Sequence, residues 1–334
     1  SHSMEIWSYI KEHDKGKTNF HFEVAADLLN EEELNLISTM RPGLIQLEIG
    51  VQSTNEQTIK EIHRTMKFSQ VTEVVNRVHA AKNIHQHLDL IAGLPFEDYN
   101  SFHKSFCDVY ALKPEQLQLG FLKVLKGSYM EEKTKDYELL YQNRPPYEVL
   151  STKWLPYSDV IRLKGLEEMV EVYYNSRQFE YTMELLEQVF GDAFVMFEEM
   201  SNYYEEHGYY GVNHNRVARY EILYAFIKEV ALVQYETLLT EEQFRQTLVM
   251  DLYLRENMKN RPAFAGDSLV SKEVERTFYD TEAEEHQYLK GYEKYDKRQL
   301  RKMTHLENID GHLILFDYQN RNPLTNQATT YEVI

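Results

Sequence analysis

Residues 44–52 read Leu44-Ile45-Gln46-Leu47-Glu48-Ile49-Gly50-Val51-Gln52. Apolar and polar residues alternate, and in a strand residues two apart share a face. Ile45, Leu47, Ile49 and Val51 make one apolar face, and Gln46, Glu48, Gly50 and Gln52 make a polar one. Three other stretches repeat the division. Phe20, Phe22 and Val24 oppose His21, Glu23 and Ala25. Ile84, Leu88 and Leu90 oppose His85, His87 and Asp89. Leu117, Leu119 and Phe121 oppose Gln116, Gln118 and Gly120.

These runs predict strands over 20–25, 44–51, 85–91 and 116–124. Between them, 31–40, 55–66, 69–82 and 98–111 carry helical spacing, as in Val71, Val74, Val75 and Val78. Strands alternating with helices imply parallel βαβ units and an α/β fold. Four strands are too few to close an eight-stranded barrel, so the expectation is a partial (β/α) TIM-like barrel. The apolar faces suit covering helices. The polar faces leave two readings: a sheet with one solvated face, unusual for parallel strands, or a barrel interior built to hold a polar ligand. The agreement of all four strands favours the interior.

Beyond residue 130 the character changes. Aromatic residues, especially Tyr, crowd the second part, and helical spacing runs through 160–176, 180–206, 216–237 and 241–258. Pro145-Pro146 and Pro156 mark 131–160 as an extended linker. The expected organisation is a tag remnant at 1–3 (Ser1-His2-Ser3 before Met4), a half-barrel over 4–130, the linker, and a mainly helical domain over 161–334. A β-hairpin over 312–333 would end it, with Asn320–Asn326 as its turn.

Composition limits the function classes. The 334 residues hold 43% hydrophobic and 27% charged residues, enough for a packed core rather than a disordered chain. No run approaches a membrane span, and the expected location is the cytoplasm. The net charge is -18, and 23 basic against 37 acidic residues fall in 131–334, which argues against a nucleic-acid footprint. Cys107 is the single cysteine, so these residues alone form no disulfide framework, Cys-rich zinc site or all-cysteine iron–sulfur cluster.

The run Glu48-Ile49-Gly50-Val51-Gln52-Ser53, then Arg64, then Asp89-Leu90-Ile91-Ala92-Gly93-Leu94-Pro95 resembles the second half of a radical S-adenosylmethionine barrel. Oxygen-independent coproporphyrinogen oxidases have a closely similar run. Phe20-His21-Phe22-Glu23, the His-x-His-x-Asp strand and the Leu117–Ser128 run are similar to a cobalamin-binding subgroup, in which a helical C-terminal domain of unknown function follows the barrel. The core resemblance covers about residues 18–130. It implies that Glu23, Gln52, Arg64 and Asp89 hold S-adenosylmethionine, with Gly93 and Pro95 shaping a turn close to its adenine. His21, Glu48, His85, His87 and Gln118 would face substrate or cobalamin. Arg binds a carboxylate as a planar fork, and carboxylates accept from an ammonium or a ribose diol.

The family reduces its cofactor at a 4Fe-4S cluster held by a Cys-x-x-x-Cys-x-x-Cys loop, and these residues contain no such loop. The resemblance therefore implies a C-terminal portion of a longer Fe-S oxidoreductase or methyltransferase, inactive alone. Its partners would be the missing N-terminal cobalamin and cluster region and a small-molecule or peptide substrate. Of the cofactors, only S-adenosylmethionine would be retained. The open edge of the first strand invites a homodimer or a covering segment. The alternative is a non-catalytic module that binds a metabolite or a protein. No resident metal is expected, because His85-x-His87-x-Asp89 also suits hydrogen bonding in a polar cavity. Cys107 reads as a buried small side chain and Lys123 and Lys126 as solvated. Tyr203, Tyr204, Tyr209 and Tyr210 read as packing residues.

Overall fold

The computed structural model describes residues 2–334. Its first element is helix α1 (His2–His13), followed by β1 (Phe20–Val24), α2 (Glu31–Ser38), β2 (Ile45–Gln52), α3 (Glu56–Glu61), α4 (Phe68–Ala81), β3 (His85–Ala92), α5 (Tyr99–Tyr110) and β4 (Gln116–Phe121). His2 and Ser3, read as tag remnant, lie in the first turn of α1, and Ser1 is outside the described residues. Trp7 of α1 is buried and meets Phe22 edge-on at 5.9 Å, so the helix covers the apolar face of β1.

β1 to β4 form one parallel sheet in the order β1-β2-β3-β4. Parallel crossovers are right-handed, so an order that never reverses places every connecting helix on the same face. Burial follows that rule. Ile45, Leu47, Ile49 and Val51 are buried beneath the helices, while Gln46, Glu48, Gly50 and Gln52 are half-buried on the other face. The architecture is α/β, a partial (β/α) TIM-like barrel joined to a mainly helical second part. One polar residue sits on the wrong face for a simple stripe. Gln86 is buried under α4, where its side-chain amide donates to the Val75 carbonyl at 3.1 Å.

Residues 131–160, expected as an extended linker, are folded. They hold the end of α6 (Tyr129–Glu132) and a two-stranded ribbon of β5 (Leu140–Tyr141) and β6 (Val149–Ser151). Tyr137, Leu139 and Val149 bury themselves with Leu94, Leu122 and Val124, which fastens the segment to the barrel. Pro145-Pro146 lies in the ribbon's turn, which explains the misleading signal.

The helical part contains α7 (Tyr157–Met169), continued by a π-helical turn over Val170–Asn175, then α8 (Glu180–Phe190) and α9 (Ala193–Glu206). A single helix over 180–206 was expected; Gly191, at φ +65°, caps α8 in the left-handed conformation and ends it. Next come α10 (Arg216–Phe226), α11 (Leu232–Gln234), α12 (Glu241–Arg255), α13 (Lys272–Glu285) and α14 (Lys297–Met303). β7 (Thr304–Ile309) adds a third antiparallel strand to the terminal hairpin, which is formed by β8 (His312–Arg321) and β9 (Ala328–Val333). Asp310-Gly311, both at positive φ, make the tight turn joining β7 to β8. The chain divides into two compact units: residues up to 175 with 192–206, and 176–191 with 207–334. Among the described residues no helix is long and apolar enough to cross a membrane.

Candidate functional site

Parallel register lines up the polar side chains in rows across the sheet. His21, Gln46 and His85 form one row. Glu23, Glu48, His87 and Gln116 form the next, and Gly50, Asp89 and Gln118 the third. The period-2 reading of four separate segments thus yields a single polar surface.

Strand β2 ends irregularly. Its pairing with β3 slips between Gly50 and Gln52, and Gln52 adopts φ +70°. This local bulge turns the Gln52 side chain back over Gly50; a Cβ on Gly50 would stand 2.5 Å from Gln52 Nε2. Arg64 reaches the same point. It was expected on a helix over 55–66, but α3 stops at Glu61 and Arg64 lies in the following connection, after His63 at φ +59°. Its Nη1 donates to the Gly50 carbonyl at 2.7 Å. A cleft of about 420 Å³ opens here, at the C-terminal ends of β1 and β2, lined by Glu23, Ala25, Asp27, Gly50, His63 and Arg64 among others. Glu23, Gln52 and Arg64 therefore converge around Gly50, with Asp89 in register beside it.

A second group lies deeper along the strands. His21 Nε2 is 2.7 Å from Glu48 Oε2, and the His21 and His87 rings are 6.5 Å apart. His87 Nε2 faces Asp89 Oδ1 at 3.1 Å. Burial disfavours the charged His87 imidazole, but Asp89, the Glu48 charge and Gln118 together outweigh it and raise its pKa above the ordinary value. His85 lies in register with Gln46, in the row below, and Gln118 is exposed beside Asp89.

Gly93 has φ +87°, and its missing Cβ makes room for Val149 of the ribbon, whose Cγ1 would be 2.8 Å away. The loop after it contains Glu97, which the sequence reading missed. Glu97 is buried and its Oε1 accepts from Ser53 Oγ at 2.6 Å and from Ser105 Oγ at 2.8 Å. Burial raises its carboxyl to about 7. Asn55 Nδ2 donates to the Phe96 carbonyl at 3.0 Å and Thr58 Oγ1 to that of Pro95 at 2.8 Å. These bonds lock the loops after β2 and β3 to each other, which holds the rim of the cleft. Nothing in a lone Glu after Gly-Leu-Pro-Phe marks it as buried.

Cys107 is half-buried on α5, with Sγ 3.5 Å from Asp192 Oδ1, and burial pushes its thiol up to about 11. His103 Nε2 lies 2.8 Å from the same carboxylate. A thiol held protonated is a poor nucleophile.

A family model described as "Protein of unknown function (DUF4080)" matches residues 135–331, more than half of the chain. The chain belongs to this family. The DUF4080 region supplies Val149 against Gly93, whereas the polar residues of the sheet all precede it. No curated protein matches the chain. Among solved structures it is similar to the Escherichia coli coproporphyrinogen III oxidase, described as a radical SAM enzyme. The identity is 16% and the TM-score 0.37, over 48% of this chain and 35% of that one. It is also similar to the radical S-adenosylmethionine methyltransferase TsrM of Kitasatospora setae. With cobalamin and a 4Fe-4S cluster bound, that structure matches at 12% identity and TM-score 0.35, over 46% of this chain and 31% of that one. With tryptophan and a cofactor analogue bound, it matches at 12% and 0.30, over 50% and 27%. The chain thus spans about a third of the length of these structures.

Within the DUF4080 region, Asp251 of α12 is fully buried and accepts from Tyr181 N at 3.0 Å, Thr182 N at 2.9 Å and Thr182 Oγ1 at 2.7 Å. It caps the start of α8, whose own N-cap residue, Phe179, makes no side-chain cap bond.

Proposed function

We propose that residues 18–130 are the cofactor-binding half of a radical S-adenosylmethionine barrel, part of an Fe-S oxidoreductase or methyltransferase. The observation that carries this reading is the cleft around Gly50, where Glu23 and Arg64 set an anion and a cation on one opening. The amino-acid end of S-adenosylmethionine carries an ammonium and a carboxylate, which match that pair. Gln52 contributes its amide over Gly50, and Asp89 accepts from the ribose hydroxyls. His21, Glu48, His85, His87 and Gln118 face substrate or cobalamin. Ligands of such folds bind at the C-terminal ends of the strands, where this cleft lies.

The residues present do not fit the 4Fe-4S cluster. Cys107 is the single cysteine, and it sits on α5 beside His103 and Asp192. In this reading a preceding region carries the cluster and cobalamin. The protein acts in the cytoplasm on a small molecule or peptide, and the free edge of β1 joins that region or a second copy. A second reading, favoured by the single cysteine, is a module whose cleft binds a metabolite without turnover.

Equilibrium dialysis of the chain against S-adenosylmethionine tests the first reading. Arg64→Ala removes a charge-assisted pair and is expected to weaken binding about tenfold to a hundredfold. Arg77→Ala, on α4 and paired with Glu31, leaves it unchanged. With dithionite and no partner, the chain forms no 5′-deoxyadenosine. Failure of the wild type to bind, or equal binding by Arg64→Ala, contradicts the reading.

A further inference from the structure

We propose that His21, Glu48 and His87 form a binding site for one divalent transition-metal ion of the zinc or ferrous type. One nitrogen from each imidazole and one carboxylate oxygen all lie within 4.8 Å of one another. They come from β1, β2 and β3, three neighbouring strands of the polar face. Around a zinc ion, ligand atoms at ~2.0–2.2 Å from the metal stand roughly 3.3 Å from each other in a tetrahedron. His21 Nε2 and Glu48 Oε2, at 2.7 Å, are already inside that spacing. The side chain of His21 is 47% exposed on the edge strand, so its ring has room to adjust.

An independent observation at His87 points to a ligand. Its side chain is only 7% exposed, and its Nε2 is buried without a hydrogen-bond partner. The Asp89 Oδ1 that faces it at 3.1 Å lies off the hydrogen-bonding direction and is likewise buried and unpartnered. A buried imidazole nitrogen without an aligned hydrogen bond is incompletely satisfied. A metal ion takes that lone pair directly, and the adjacent carboxylates offset its charge. Two imidazoles and a carboxylate form a donor set of zinc and non-haem ferrous sites, and three protein ligands leave a position open for water or substrate. Among the described residues one other cluster has ligating chemistry: His103, Cys107 and Asp192. There Asp192 already accepts from Val195 N at 3.1 Å in addition to its contacts with His103 and Cys107, so its carboxylate is engaged.

The inference does not rest on the cofactor reading, since Arg64 and Glu23 take no part in it. Cobalt(II) titration of the chelator-treated chain tests it, with visible d–d absorption as the readout and zinc as competitor. One equivalent is expected to bind and to be displaced by zinc. His21→Ala, Glu48→Gln and His87→Ala each weaken binding at least about tenfold, whereas His79→Ala and Cys107→Ser do not. Circular dichroism establishes that each variant is folded; should His87→Ala unfold, His21→Ala on the exposed edge strand decides. No cobalt binding by the folded wild type, binding that survives both histidine substitutions, or binding lost in Cys107→Ser overturns the proposal. None of these outcomes alters the Arg64 test, so the two readings fail separately.

Discussion

Asp251→Ala is expected to lower the stability of the protein by about 3 kcal/mol or more. The carboxylate accepts two backbone N–H groups and a hydroxyl at the first turn of α8. Removing it leaves the buried Thr182 N–H without its acceptor and the first turn of α8 uncapped, and the small methyl leaves a gap as well. The same group makes stability depend on pH. Burial raises the Asp251 carboxyl from an ordinary 3.8 to about 7. A group whose pKa is raised by folding binds more protons in the folded chain than in the unfolded one. Its contribution is fully present below about pH 4 and is lost as pH rises toward 7, by at most about 1.4 kcal/mol per pH unit. Asp251→Asn removes this group's share of the pH dependence, leaving that of the other titrating groups, Glu97 among them. Urea unfolding at several pH values reads both effects. A slope unchanged in Asp251→Asn contradicts the assignment.

Gly93→Ala is expected to lower stability by about 2–4 kcal/mol, for two separable reasons. At φ +87° any side chain is strained, and the new Cβ would stand 2.8 Å from Cγ1 of the fully buried Val149. Val149 is held by backbone pairing through β6, so it has little room to retreat. The Val149→Ala change in the Gly93→Ala background relieves the crowding but not the backbone strain. A double-mutant cycle should therefore show recovery of part of the loss, measured by urea unfolding. Full additivity of the two substitutions would show that the close approach is not what Gly93 provides.

The parallel sheet was legible because its strands alternate strictly and carry few interruptions. Period 2 in residues 45–52 identifies both the buried face and the polar one, and parallel register does the rest. The candidate site was legible only as residue types on a face. That Gln52 turns back over Gly50 depends on a bulge, and that Arg64 reaches the Gly50 carbonyl depends on α3 ending early. Neither leaves a periodic signal. Glu97 was missed because its partners, Ser53 and Ser105, come from separate segments. Asp251 did leave a trace, as a carboxylate among the buried Leu248, Val249 and Leu252 of α12. The third terminal strand was missed although Asp310-Gly311 is a hairpin signal, because His305, Glu307 and Asn308 dilute its apolar pattern. Pro145-Pro146 misled in the opposite direction, since prolines punctuate a ribbon turn as readily as a linker.

The central claim is that the cleft around Gly50 is a cofactor site, and amide hydrogen exchange with and without saturating S-adenosylmethionine tests it most directly. The account predicts slowed exchange in Phe20–Val24, in residues 50–64 and in residues 89–95, with 241–333 unchanged. Protection confined to 241–333, or none anywhere at saturating cofactor, would contradict it.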